Sequence, residues 1–269
     1  MTSTSIIIEP EQAQVFIEDH SPIIVDLSQA ENYLQAHIPN AINLDYSLLT
    51  HGHPPAPGNL PEPVRLQALL DALGIAKENK ILIYDSEGMG KSSRFIWVLD
   101  CVGYNGYKMI NGGLQSWASE DYALDSAVTL AESEEQAAIT INAHPIATKE
   151  DVLEAIDAPG TVILDVRTAA EYSGQRGGSR FGHIPSSVNL NWLDTMDPNN
   201  NQKILPAQQL LSMYEKIGVT PDKQIIAHCQ THHRSSHTYV LLKHLGFTNV
   251  RGYGGSWAEW SADMSLPIV

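Results

Sequence analysis

Two long segments of this 269-residue chain occur twice, in the same order. Segment 23–46 reads IIVDLSQAENYLQAHIPNAINLDY, and segment 162–192 reads VILDVRTAAEYSGQRGGSRFGHIPSSVNLNW. Both contain an apolar run that ends in Asp, a stretch of helical length, the triplet His-Ile-Pro and an Asn-Leu pair. Segments 74–117 and 218–260 match in the same way, so the sequence predicts one fold built twice. Matched pairs include Asp26 with Asp165, Gly103 with Gly246, and Trp117 with Trp260.

Within each half, short apolar runs alternate with patterns of helical length. The runs PIIVDL, KILIYD, TVILDV and QIIAHC predict buried strands, and SSRFIWVLDCVG and SSHTYVLLKHLG predict helices that begin after a Ser pair and end at Gly. This alternation is typical of an α/β fold, a mostly parallel sheet with helices on both faces. In such sheets, ligands bind at the carboxyl ends of the strands.

The boundary between the halves is predicted from the repeat. The acidic, Ala-rich segment 125–145 has no match elsewhere in the chain and is interpreted as a linker. We therefore expect a first domain over residues 1–124 and a second over 146–269.

Composition limits the partners. A formal net charge of −15 argues against nucleic acid and anionic membranes, because the overall field would repel both. The chain shows neither a signal peptide nor an apolar run long enough to span a bilayer, so we expect a soluble, cytoplasmic protein. Its two cysteines, Cys101 and Cys229, cannot form a disulfide framework, and a reducing compartment would keep a useful thiol free.

The loop after the strand QIIAHC concentrates positive charge around Cys229. Residues Gln230–Arg234 connect this strand to the next helix, which Ser235 or Ser236 is expected to open. Backbone N–H groups at a helix start favour an anion, and a helix N-terminus with nearby cations lowers the pKa of a thiol. We therefore expect a largely ionised thiol. Arg234, with partial charge on His232 and His233, would attract an oxyanion despite the acidic chain.

The matching loop of the first half, YDSEGMGKSS, provides an internal comparison. Asp85 stands where Cys229 stands, Glu87 adds a second negative charge, and the loop is one residue longer before its cation, Lys91. Likewise, DVR at 165–167 corresponds to DLS at 26–28. The chemistry is therefore assigned to the second half, and the first half is expected to be a scaffold that walls the cleft.

Two repeated α/β halves, an Asp replacing the nucleophile in the first, and a Cys loop followed by GYGGSWAEW in the second resemble the tandem-domain rhodaneses over nearly the whole chain. This family comprises thiosulfate and 3-mercaptopyruvate sulfurtransferases, and the loop CQTHHR is similar to that of the Azotobacter-type bacterial rhodanese. The resemblance implies that Cys229 carries sulfur as a persulfide and that Gln230, Thr231, His232, His233 and Arg234 cradle it. The donor would be a small anion such as thiosulfate and the acceptor cyanide or a thiol, with no metal or organic cofactor.

The sequence departs from the mitochondrial member of the family in one respect. That enzyme has an Arg on the helix after its D-x-R strand and a Lys in its loop, where this chain has Glu171 and His232 or His233. The departure argues against the usual two-cation grip on thiosulfate and leaves the physiological donor open.

Several candidate residues also have a structural interpretation. Arg234 could bind substrate or pair with Asp165 or Glu171, and Arg167 could likewise pair with a nearby carboxylate. Trp192, which corresponds to Tyr46 of the first half, could line the cleft or simply pack. His37 and His183, in the two His-Ile-Pro triplets, are expected to be structural, and Cys101 is expected to pack against the sheet. The insertion at 174–180 has Gly and Arg residues that could reach the cleft or face solvent.

Three alternatives compete with sulfur transfer. A metal site at His228, Cys229, His232 and His233 is disfavoured because only one Cys is present and consecutive His side chains point apart. A phosphatase of the Cys-x5-Arg type shares the fold, but Cys229 and Arg234 are separated by four residues. A binding module with a vestigial Cys would not need an intact thiol in a cationic loop.

Overall fold

The computed structural model describes residues 5–133, 138–176 and 180–269, and the chain divides into two compact units. The first contains residues 1–49, 61–141 and 197–204, and the second contains residues 50–60, 142–196 and 205–269. Each unit thus takes one short segment from the other half of the sequence. The predicted bounds, a first domain over 1–124, a linker over 125–145 and a second domain over 146–269, stay a prediction.

The first unit contains a five-stranded parallel sheet in the order β1-β5-β4-β2-β3. Its strands are β1 (Ile7–Ile8), β2 (Ile23–Asp26), β3 (Ala41–Asn43), β4 (Ile81–Tyr84) and β5 (Tyr107–Ile110). Its helices are α1 (Pro10–His20), α2 (Ala30–Tyr33), α3 (Pro63–Ala72), α4 (Gly90–Cys101) and α5 (Gly113–Ser119), with a 3₁₀ helix at Tyr46–Leu49.

The second unit repeats this topology in the order β6-β12-β11-β7-β8, again parallel throughout. Its strands are β6 (Ile146–Ala147), β7 (Thr161–Asp165), β8 (Val188–Asn189), β11 (Gln224–His228) and β12 (Val250–Tyr253). Its helices are α6 (Lys149–Ala155), α7 (Ala169–Tyr172), α8 (Ala207–Lys216), α9 (Arg234–His244) and α10 (Ser256–Ala262), with a 3₁₀ helix at Trp192–Thr195. A separate two-stranded sheet pairs β9 (Met196–Asp197) with β10 (Lys203–Ile204). The prediction of one α/β fold built twice is confirmed.

Side chains of the repeated motifs do the same structural work in both units. The Asn of each Asn-Leu pair donates to two backbone carbonyls after the Asp-ended strand: Asn43 to those of Asp26 and Ser28, and Asn189 to those of Asp165 and Arg167. Each of these amide groups therefore fixes the chain as it leaves the carboxyl end of its strand.

The repeated tryptophans also have matching partners. The indole N–H of Trp117 donates to the carbonyl of Ala123, and that of Trp260 donates to the carbonyl of Pro267, both over 2.9 Å. Both rings are buried in the core of their own unit. Each apolar core thus includes a large ring whose polar atom is satisfied.

The predicted ends of the two long helices are confirmed, but their predicted starts are wrong. Gly103 and Gly246 follow α4 and α9 in the left-handed conformation, as C-terminal glycines do. The helices begin at Gly90 and Arg234, ahead of their Ser pairs, and the N-cap residues, Met89 and His233, make no side-chain capping hydrogen bond. The Ser residues are instead buried within the first turn, where their hydroxyls have other partners.

Segment 197–204 is held to the first unit by polar contacts. Lys203 forms ion pairs with Glu9 at 2.8 Å and Glu120 at 2.9 Å. The Ile204 N–H donates to Asn111 over 2.9 Å. A short segment of the second half of the sequence thus completes the first unit.

Candidate functional site

Cys229 follows β11 directly and lies at the carboxyl end of the second sheet, with 1% of its surface exposed. The N–H groups of Trp257 and Ala258, in the first turn of α10, donate to the carbonyls of Cys229 and Gln230, both over 3.0 Å. The Cys229 N–H faces the Ser256 hydroxyl at 3.4 Å. The segment GYGGSWAEW therefore anchors the start of the Cys229 loop by its backbone, a role that the sequence motif alone did not show.

His232 holds the middle of this loop in an uncommon conformation. It is fully buried and has φ of 57°, a left-handed backbone that side-chain-bearing residues adopt at a cost. Its Nδ1 lies 2.7 Å from the Ser235 hydroxyl, and its carbonyl accepts a hydrogen bond from the Ser236 hydroxyl. The Ser pair predicted to cap α9 therefore fastens the loop to the helix.

Arg234 forms a two-pronged ion pair with Glu171. Its Nη1 and Nη2 donate to the two carboxylate oxygens over 2.8 and 2.9 Å. Burial opposes the charge on Arg234, but the hydrogen bond with Glu171 and the electrostatic interaction with the Cys229 side chain raise its pKa above the ordinary value. The expected partner, Glu171, is thus confirmed, and contact of Arg234 with substrate stays a prediction.

Glu171 connects the loop cation to the start of α7. Its carboxylate accepts hydrogen bonds from the backbone and hydroxyl of Thr168, which completes a capping box. The hydrogen bond from Arg234, opposed by partial burial and aided by Thr168, lowers the pKa of Glu171 to about 2. The carboxylate where the mitochondrial enzyme has an Arg therefore orients the loop cation.

In the first unit, the matching loop is wrapped around its own carboxylate. Asp85 is fully buried and accepts hydrogen bonds from the backbone N–H groups of Glu87, Met89 and Ser92 over 2.8 to 3.0 Å. The Ser92 hydroxyl adds a fourth, over 2.8 Å. The donors of this loop are therefore directed at a carboxylate that belongs to the chain itself.

The loop cations of the two units also differ in setting. Lys91 in the first unit pairs with Glu87 of its own loop at 3.0 Å, whereas Arg234 pairs with Glu171 on another element. In the first unit, a loop carboxylate neutralises the loop cation, and in the second unit, no carboxylate belongs to the loop itself.

Arg167 lies beneath the loop, in a buried ion pair with Asp165. Its Nη2 approaches the Asp165 carboxylate at 2.6 Å and also donates to the Gly182 carbonyl, and the guanidinium lies 4.3 Å from the centre of the Trp257 ring. Only 1% of Arg167 is exposed. These contacts give Arg167 a structural role, and its predicted contact with substrate stays a prediction.

His228, the last residue of β11, adds to the same buried cluster. Its Nε2 lies 3.7 Å from the Asp165 carboxylate, and its Nδ1 faces the Cys229 carbonyl at 3.4 Å. Burial lowers the pKa of His228, the Asp165 charge opposes this shift, and the Arg167 charge adds to it. A neutral His228 at neutral pH follows.

Trp192, Gln230, Thr231 and His233 are the remaining predicted site residues. Trp192 opens the 3₁₀ helix of the second unit and makes edge-on contacts with His233, at 6.2 Å between ring centres, and with His237, at 5.5 Å. Gln230 is exposed, and Thr231 and His233 are half-buried. Trp192 thus contacts the loop at His233, and whether it touches substrate stays a prediction.

The expected structural role of the two His-Ile-Pro histidines is confirmed. His37 stacks on Tyr33 at 3.9 Å and His183 stacks on Tyr172 at 3.7 Å, each with Nδ1 at the carbonyl of the residue on which it stacks. Cys101 is fully buried in α4, as predicted.

Arg180 of the insertion donates to the carbonyls of Asp263 and Leu266. Residues 177–179 of the insertion lie outside the described residues. Within the ranges that the structure describes, no three His, Cys, Asp or Glu side chains are grouped so as to hold a metal ion. Over the same ranges, no helix has the length and apolar character needed to cross a bilayer.

Sequence reasoning missed a contact between Gly58 and the Cys229 loop. A side-chain carbon on Gly58 would lie 2.2 Å from the Thr231 carbonyl oxygen and 2.5 Å from that of Gly254. The segment around it is closed by hydrogen bonds from the N–H of His51 to the Asn59 carbonyl and from the N–H of Gly52 to the Pro57 carbonyl. The Pro- and Gly-containing run PPAPGNLP is typical of a loop, but nothing in it indicates packing against residues far along the chain.

Comparison with known proteins finds sulfurtransferases among the relatives of this chain. The model of the rhodanese-like domain matches residues 9–120 and 148–263. The chain is 38% identical to a thiosulfate sulfurtransferase of Azotobacter vinelandii over 99% of this chain and 97% of that one. It is 39% identical to a thiosulfate sulfurtransferase of Pseudomonas aeruginosa over 81% of this chain and 79% of that one.

More distant relatives include a 3-mercaptopyruvate sulfurtransferase of Escherichia coli, 30% identical over 85% of this chain and 81% of that one. Among solved structures, the anaerobic ergothioneine biosynthesis enzyme from Chlorobium limicola superposes with a TM-score of 0.87. That match is 20% identical and covers 98% of this chain and 69% of that one, so it bears on the fold alone.

Proposed function

The chain belongs to the rhodanese-like family, and from that premise we propose that it is a thiosulfate sulfurtransferase that carries sulfur as a persulfide on Cys229. The observation that supports this most directly is the pair of matching loops. One cradles the Asp85 carboxylate with three backbone N–H groups and a hydroxyl, and the other has a thiol at the same position. A sulfur anion on Cys229 takes the place of that carboxylate.

The reaction proceeds in two steps. The Cys229 thiolate attacks the outer sulfur of thiosulfate, the S–S bond of the donor breaks, and sulfite leaves with its electron pair. The outer sulfur of the resulting persulfide is then attacked by cyanide or a thiolate, and the Cys229 thiolate is regenerated. Such covalent intermediates produce ping-pong kinetics.

The surroundings of Cys229 favour the anionic forms. The loop lies at the N-terminus of α9, where the helix dipole and the N–H groups of the first turn stabilise negative charge. Arg234 adds a permanent positive charge, and the interaction with Cys229 is one of the causes that raise the pKa of its guanidinium. Preorganised donors of this kind lower the energy of a charged transition state. In the cytoplasm, where we place the protein, the thiol stays reduced between turnovers.

The test is the intact-protein mass after incubation with thiosulfate, for the wild type and for Cys229→Ser. We expect a gain of one sulfur, about 32 Da, that cyanide removes and that the Ser variant never shows. A parallel incubation with 3-mercaptopyruvate compares the two donor classes of the family. Transfer activity in Cys229→Ser would contradict the persulfide scheme. A wild type that gains no sulfur from either donor would favour a phosphatase or a binding module.

A further inference from the structure

The Ser pair near the start of α4 directs one hydroxyl toward the residue that follows the strand of the first unit. In the first unit, Ser92 donates both its backbone N–H, over 2.9 Å, and its hydroxyl, over 2.8 Å, to the same carboxylate oxygen of Asp85. Asp85 is the counterpart of Cys229, and Ser92 is the counterpart of Ser235. By the repeat, Ser235 occupies the sequence position from which Ser92 reaches Asp85 in the first unit.

Ser235 also has a partner that controls the direction of its proton. It is fully buried, and its oxygen lies 2.7 Å from Nδ1 of the equally buried His232. A hydroxyl has one hydrogen to donate and two lone pairs to accept. When the imidazole carries its proton on Nδ1, it donates to Ser235 and leaves the Ser235 hydrogen for another acceptor.

The groups around Cys229 occupy different sides of the residue. Ser256 faces its backbone N–H, and His228 faces its carbonyl oxygen. Arg234 is hydrogen-bonded to Glu171, and its charge interacts with the Cys229 side chain. A hydroxyl donor to the sulfur would therefore complement the guanidinium.

We propose that Ser235 is a catalytic residue whose hydroxyl donates a hydrogen bond to the Cys229 sulfur, oriented by a proton on His232 Nδ1. This inference rests on the proposed function only in that Cys229 is the reacting thiol. The hydrogen bond stabilises the thiolate relative to the neutral thiol. It therefore raises the ionised fraction of Cys229, and Ser235 itself transfers no proton. It also assigns a purpose to the left-handed backbone of His232, which places Nδ1 beside Ser235.

The test compares Ser235→Ala with Ser236→Ala. Ser236 is a matched control because it is the next residue, is equally buried, and gives its hydroxyl to the His232 carbonyl instead of to a side chain. The measurement is the rate of Cys229 alkylation by iodoacetamide between pH 5 and 10, followed by intact mass. A hydrogen bond to a charged acceptor supports an expected loss of about tenfold in rate at neutral pH and a midpoint about one pH unit higher for Ser235→Ala. Ser236→Ala removes a hydrogen bond to the His232 carbonyl only and should shift the midpoint by less than Ser235→Ala does.

Two further variants complete the design. Ser235→Thr retains the hydroxyl and should keep the wild-type midpoint. If Ser235→Ala does not fold, His232→Asn provides the measurement, because Asn tolerates a left-handed backbone and removes the imidazole. We expect it to raise the midpoint in the same direction.

The proposal is overturned if Ser235→Ala alkylates as the wild type does, if Ser236→Ala shows the same shift, or if Ser235→Thr behaves like the Ala variant. An unchanged profile in His232→Asn would overturn the orienting role of the imidazole. Alkylation requires no sulfur donor. A Ser235-dependent profile in a protein that never forms a persulfide would therefore refute the proposed function and leave this inference standing.

Discussion

Replacement of Gly58 by Ala tests whether the Thr50–Leu60 segment shapes the Cys229 loop. The backbone of Gly58 lies outside the left-handed region, and the cost of the change is steric. The added carbon would start 2.2 Å from the Thr231 carbonyl oxygen, whereas real contacts of this kind stay beyond 3.0 Å. The backbone must therefore separate by about 0.8 Å at this point. Since the second close oxygen, that of Gly254, also belongs to the backbone, no side-chain rotation relieves the contact.

The displaced carbonyl is two residues from Cys229, so the N–H groups that follow it move as well. A misplacement of about 1 Å near reacting groups can cost up to about 100-fold in rate, and overpacking costs about 1–3 kcal/mol in stability. We expect Gly58→Ala to lower kcat/KM for thiosulfate about 10- to 100-fold, chiefly through kcat, while the protein stays folded at 25 °C.

The assay is steady-state sulfur transfer from thiosulfate to cyanide, with thermal unfolding measured on the same samples. His53→Ala is the control, because His53 is an exposed residue of the same segment, and it should retain wild-type kinetics. Wild-type kcat/KM in Gly58→Ala would refute the claim that Gly58 positions the loop. A drop in stability alone would assign to Gly58 a packing role only.

Three other predictions follow from the described contacts. The pKa of Glu171 is lowered from 4.5 to about 2 in the folded protein. The ionised Glu171 therefore stabilises the fold above pH 4.5, and this contribution is lost as the pH falls toward 2. Glu171→Gln should lower the free energy of unfolding at pH 7 by about 1–3 kcal/mol. Urea titrations should also show a smaller decline of this free energy between pH 4.5 and pH 2 in the variant than in the wild type, and an equal decline in the two proteins would contradict the prediction. Asp85→Ala leaves the buried hydroxyl and N–H donors around it, including Ser92, without an acceptor, so it should cost about 3 kcal/mol in stability while Cys229 in the folded fraction still forms a persulfide. Cys101→Ser should leave the alkylation rate of the folded protein unchanged, because Cys101 is buried. A reduced rate would show that part of the measured alkylation takes place on Cys101.

The fold was predictable because the signals were local and repeated. Apolar runs ending in Asp26 and Asp165 predicted strands, and the repeat predicted that both halves would share one topology. The parallel order of each sheet follows from strands that alternate with helices. The candidate reactive position could also be chosen from the sequence, because Cys229 follows a strand and precedes a helix in a run rich in His and Arg.

The details of the loop were not predictable in the same way. Ser at the start of a helix predicts a cap, yet Ser235 and Ser236 bond to His232 because its left-handed backbone brings its ring and carbonyl within reach. Propensity describes a residue beside its chain neighbours, and here the tertiary arrangement of the loop prevails.

Glu171 shows a second limit. Spacing from Thr168 predicts a capping box, and proximity to a D-x-R strand suggests an ion pair, but the sequence does not show that one carboxylate satisfies both. The contact of Gly58 with Thr231 joins residues more than 170 positions apart, and no local pattern encodes it.

The exchange of segments 50–60 and 197–204 has a consequence for the history of the gene. A tandem duplication first yields two self-sufficient copies, and loss of catalysis in one copy normally frees it to be deleted. Here the unit that carries Cys229 takes the backbone around Gly58 from the first half of the chain, and the other unit takes Lys203 from the second half. Deletion of either copy would remove part of the other, so under the proposed function selection on Cys229 also preserves the half in which Asp85 stands at its position.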